Sequence, residues 1–68
     1  MTATIILNQQ DRRIGNLIAA GKRQSAILAE TKLSSDAVYW SVSRLMQFFG
    51  VDTRSALIKP IQASGWTE

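Results

Sequence analysis

The chain contains no cysteine and no histidine, a single proline, four glycines and only five acidic residues. Without cysteine there is no disulfide framework and no thiolate ligand or nucleophile. Without histidine there is neither an ordinary zinc site nor a Ser-His or Cys-His arrangement. No acidic pair is positioned as a site. An enzyme is therefore not expected, nor a metal or any other cofactor. Long apolar runs are lacking too. The longest, Ala3 to Leu7 (ATIIL), is far too short to span a membrane, so no membrane partner is expected. Met1 is followed by no basic stretch and no apolar h-region, so no signal peptide is expected. The absent cysteines fit a cytoplasmic (nucleoid) location. Internal repeats and low-complexity segments are missing as well.

What is present is small and mildly basic. A chain of 68 residues is one domain at most and buries only about 60% of its unfolded surface. It must lean on efficient helix packing or on oligomerisation, and a deep catalytic pocket is hard to build. The formal net charge is +3 and the sequence pI is about 10.0. That balance favours a polyanionic partner without demanding one.

Apolar spacing and capping residues divide the chain into helices. Residues 1–7 read as an extended N-terminal arm, because Thr2, Thr4, Ile5 and Ile6 favour β geometry. The arm either starts loosely with an isoleucine on the core or pairs as a strand with a partner or a second copy. Asn8 is a candidate N-cap, with Asp11 placed to complement the helix start. Ile14, Leu17 and Ile18 share one face of a first helix, about 9–20, which Gly21 ends. A short second helix, about 23–31, carries Ile27, Leu28 and Thr31 inward. Ser34 can cap a third, 35–49, in which Val38, Val42, Leu45, Met46 and Phe49 form a continuous face and Gly50 is the stop. Asp52 or Thr53 can cap a fourth helix beginning near Arg54. Pro60 must kink or end it. The tail, 65–68, is expected to be flexible, with Trp66 its only large group. Four helices with a tight turn near Leu33 between the middle pair make an all-α, helix-turn-helix arrangement.

These residues resemble the LuxR-type (GerE-type) helix-turn-helix domain. The similarity runs without a gap from Leu7 to Ser64 and is carried by Leu7, Asn8, Asp11, Ile14, Leu17, Gly21, Ile27, Leu33, Ser34, Val38, Val42, Leu45, Gly50, Val51 and Arg54. It implies a LuxR-type domain over 8–64 of bacterial or phage type, with the third helix in a DNA major groove and the fourth as a dimer contact. The departures fall at the positions that contact DNA in the family. Ala37, Val38 and Tyr39 stand where the family has Thr-Val-Lys. Ser41 replaces a frequent His, Phe48 a Lys before Leu-Gly, and Gln24, Ser25 and Ala26 an Asn-Lys-Glu run.

Individual side chains admit two readings. Tyr39 and Trp40 could pack along the first helix and cover an apolar edge. They could equally contact a partner, either a thymine methyl in a groove or a protein surface. Ser43 and Gln47 could bond base edges or simply face solvent. Lys22, Arg23, Lys32 and Arg44 belong to the helix-turn-helix unit and could form a phosphate-contacting rim or an ordinary charged surface. Asp36 opposes phosphate near the start of the third helix. On the fourth helix, Leu57, Ile58 and Ile61 exceed what one buried face can use, which suggests a homodimer interface.

The resulting expectation is a small stand-alone transcriptional regulator. It binds double-stranded DNA through Lys22, Arg23, Lys32, Tyr39, Trp40, Ser43, Arg44 and Gln47, as a homodimer. The alternative is a LuxR-like protein-binding module that recruits or inhibits a larger regulator or RNA polymerase. A sigma-factor region 4 is related by shape, but the Gly50-Val51…Arg54 closing suits it less well.

Overall fold

The computed structural model describes residues 7–64. The expectations for 1–6 and for the tail, including Trp66, lie outside the described residues; Leu7, at the end of the arm, is buried in the core. The described chain folds as α1 (Gln9–Ala19), α2 (Gln24–Thr31), α3 (Ser35–Phe49), a single 3-10 turn (Ser55–Leu57) and α4 (Ile58–Ser64). It is all-helical, with no strand among the described residues.

Local chemistry explains the boundaries. The Asn8 side chain accepts from the Asp11 N–H at 2.8 Å, and the Asp11 carboxylate accepts from the Asn8 N–H at 3.3 Å. Two otherwise orphaned donors are thus satisfied reciprocally. The end of α1 closes through the Gly21 N–H to Ile18 C=O and the Lys22 N–H to Leu17 C=O, at 2.9 and 3.0 Å. This pair of bonds needs a left-handed residue, supplied by Gly21 at φ 83°. Gly50, at φ 67°, ends α3 in the same way. The Ser34 side chain accepts from the Ala37 N–H and starts α3. The third left-handed position is Lys32, at φ 58°, which ends α2 and begins the turn into α3.

Pro60 does not stop the last helix. It is the third residue of α4, inside the first turn, where a backbone N–H has no intrahelical acceptor to lose. The turn before α4 is held by the Ala56 N–H on Thr53 Oγ1 and by Leu57 N–H on Arg54 C=O. The helix therefore runs on to Ser64.

The core draws on every helix. Ile14, Ile18 and Ala19 of α1 meet Ile27 of α2, Val38, Val42 and Leu45 of α3, and Leu57 and Ile61 at the C-terminal end. Leu17, Leu28, Met46 and Phe49 pack partly buried around them. α1 is the central element and touches all the others, α3 and α4 most extensively. Gly15 permits this approach, because a Cβ there would lie 3.2 Å from Ile61 Cδ1 and 3.5 Å from both Leu45 methyls.

Two substitutions test this account in opposite directions. Gly15→Leu should cost about 1–3 kcal/mol or more, because the surrounding side chains are fully buried and cannot yield. Lys32→Gly should add about 0.5–1 kcal/mol, the left-handed penalty relieved less the entropy of glycine. Thermal unfolding followed by circular dichroism would show both; an unchanged or lower Tm for Lys32→Gly would contradict the second.

Candidate nucleic-acid interface

The face of α3 opposite the core is built by helical spacing. With Val38, Val42 and Leu45 inward, Tyr39, Trp40, Ser43 and Gln47 fall outward. Tyr39 is 62% and Trp40 60% exposed, Gln47 is exposed and Ser43 partly so. The two rings meet edge to face, with centroids 5.4 Å apart. Phe48, further along the helix, is also exposed and makes the same kind of contact with Phe49.

Arg44, expected as a DNA contact, is not a free cation on that outer face; it is held by Asp11. Its Nε donates to Asp11 Oδ2 at 3.0 Å and its Nη2 to Asp11 Oδ1 at 2.8 Å, with a longer bond from Nη2 to Ser41 Oγ. Asp11 and Ser41 are fully buried. The guanidinium reaches back over the α1–α3 seam because a carboxylate enclosed there needs a charge partner. Burial by itself raises the Asp11 pKa. The hydrogen bonds from Arg44, Ser41 and the Asn8 backbone, with the Arg44 charge, outweigh it and hold the carboxyl below its usual range. The bond to Asp11 likewise raises the Arg44 pKa.

One sign in the sequence marked this pair. Asp11, Ile14, Gly15 and Ile18 share the inward stripe of α1, so Asp11 belonged to the buried set and not only to the helix start. Its partner, 33 residues away, has no local signature.

The other cations divide. Lys22 and Arg23 precede α2, Lys32 follows it, and all three are exposed without an ion pair to any described residue. Arg13 donates to the Glu30 carbonyl at 2.9 Å and Arg54 to Gln24 Oε1 at 2.6 Å; these fasten α2 to α1 and to the segment before α4.

The proposed dimer surface is also corrected. Leu57 and Ile61 are fully buried in the core, and of the three residues only Ile58 is partly exposed. The apparent apolar excess came from counting Leu57, Ile58 and Ile61 on more than one side, although i, i+1 and i+4 form a single stripe. Leu57 and Ile61, four residues apart, lie on one face of the helical stretch, and that face is turned into the core. Among the described residues, no helix is long and apolar enough to cross a membrane.

The Asp11–Arg44 pair carries a pH signature. A carboxyl whose folded pKa is depressed adds stability above its unfolded value, near 3.9, and loses it as pH falls through the lower folded value. The wild-type Tm should therefore fall below about pH 4. Arg44→Ala leaves a buried carboxylate unpaired and should cost about 1–3 kcal/mol at neutral pH, less than for a sealed pair because Arg44 lies at the surface. Its further loss of stability in acid should be smaller than that of the wild type, because burial then acts on Asp11 with less opposition and brings its folded pKa toward the unfolded value. An acid-unfolding curve for Arg44→Ala that superimposes on the wild type would refute the assignment.

No family model, curated protein or solved structure matches the chain.

Proposed function

We propose that the chain is a DNA-binding transcriptional regulator, with α2 and α3 acting as a helix-turn-helix of LuxR-like type and α3 entering the major groove. One observation carries this reading: among the described residues, the outer face of α3 is left exposed, while cations without an ion pair stand at both ends of the helix before it. The eight residues of α2 separate Lys22 and Arg23 from Lys32 by about 12 Å along the helix axis. That span is close to the roughly 12 Å width of a B-DNA major groove. In this arrangement Lys22, Arg23 and Lys32 hold phosphates, while Tyr39, Trp40, Ser43 and Gln47 meet base edges. A second copy would double the contact surface, but of Leu57, Ile58 and Ile61 only Ile58 is left partly exposed for joining it.

A second reading has one observation of its own. The only cation of α3, Arg44, is engaged by Asp11, and the outer face presents an aromatic pair. Exposed Trp and Tyr are common anchors of protein interfaces. On this reading the same face binds a larger regulator or RNA polymerase.

Titrating salt against binding to random-sequence duplex DNA separates the two. DNA binding should weaken steeply with salt, by close to 0.9 log units per phosphate neutralised. The double substitution Lys22→Ala with Arg23→Ala should flatten the slope by up to about two units and act equally on all sequences. Trp40→Ala should leave the slope alone and lower discrimination between sites by about 1–3 kcal/mol. A protein-binding face would show the reverse: no salt-dependent DNA binding, and loss of the partner on Trp40→Ala or Tyr39→Ala.

A further inference from the structure

The side chains left free on α3 are a biased set, and the bias has a chemical meaning in a major groove. Guanine shows two acceptors there, N7 and O6, and is read by the paired donors of Arg or by Lys. α3 contains one such residue, Arg44. Its Nε and Nη2 face the two oxygens of a fully buried carboxylate. Turning that fork into a groove would strand Asp11 without a charge partner. The remaining outward groups are the Tyr39 and Trp40 rings, the Ser43 hydroxyl and the Gln47 amide, with the Phe48 ring at the flank and the Asp36 carboxylate near the start of the helix.

Resting on the DNA reading above, we infer that the preferred duplex is A·T-rich. It is selected through thymine 5-methyl groups against Tyr39 and Trp40 and through an adenine edge against Gln47. Thymine is the only base with an apolar group in the major groove, and ring faces and edges suit it. A glutamine amide matches the N6 donor and N7 acceptor of adenine. Ser43 bonds either kind of pair. Asp36 is the exception: its carboxylate could accept from a cytosine amino group, which accommodates one G·C pair opposite the start of the helix. Trp40 and Gln47 lie seven residues apart on the same face, roughly 10 Å along the axis. The thymine and adenine contacts therefore fall about three base pairs apart, at ~3.4 Å per step.

The decisive experiment compares four short duplexes at several salt concentrations: alternating A·T, the same with deoxyuridine for thymidine, alternating G·C, and the same with 5-methylcytosine. Deoxyuridine removes only the methyl, and 5-methylcytosine places one at the same groove position. Replacing thymine by uracil should weaken binding about fourfold for each methyl buried, with the salt slope unchanged. Methylating cytosine should tighten binding to the G·C duplex. In Trp40→Ala and Tyr39→Ala, checked for folding by circular dichroism, the thymine and uracil duplexes should converge. Equal affinity for thymine and uracil duplexes, or tighter binding of unmethylated G·C, overturns this inference and leaves the DNA reading standing. Failure to bind any of the four with a salt-dependent affinity removes the DNA reading, and this inference with it.

Discussion

The Asp11 carboxylate is the point on which the rest of the fold is hung. Enclosed between α1 and α3, it cannot exist as a charge without partners. It finds them in the Asn8 N–H, which starts α1, and in the Arg44 guanidinium, which arrives from the middle of α3. A helix start and a long-range helix contact are therefore secured by one group. Ion pairs of this kind add little net stability over well-packed apolar residues. What the two-pronged contact does add is direction. It fixes the rotation of α3 about its own axis, and with it which side chains point away from the core.

That rotation separates charge from shape. Because Asp11 and Arg44 neutralise each other, the free cations near α3 lie on the ends of α2 and not on α3 itself. α3 keeps uncharged groups on its outer face, apart from Asp36. Attraction to a polyanion would then come from the flanks, and selection among partners from rings, a hydroxyl and an amide. Phosphate contacts position and base contacts specify; here the two roles fall on different helices.

Much of the helical framework was legible from local chemistry. The Asn8 and Ser34 caps, the Gly21 and Gly50 stops and the inward face of α3 each depend on residues within a few positions of one another, and they stand where spacing put them. The outward direction of Tyr39, Trp40 and Gln47 follows from the same wheel. The failures were all of a non-local kind. Nothing near Arg44 signals a carboxylate on another helix. Nothing in residues 54–64 announces that the helix begins as a 3-10 turn, which leaves Pro60 in the first turn of α4. Gly15 was equally silent, since its meaning depends on Ile61 and Leu45 arriving from elsewhere in the chain.

The outer positions of α3 also bear on how such a domain can change over time. Tyr39, Trp40 and Gln47 are exposed, and the nearby side-chain capping and ion-pair bonds run through other residues, Gln47 joining the Gly50 cap by its backbone carbonyl alone. Replacements there meet neither the packed interior nor the helix ends. The scaffold can tolerate nearly any side chain at these sites without a new fold having to be found. A population of copies differing only along this strip would share one stability and many preferences, so that drift in recognition proceeds independently of the pressure to stay folded.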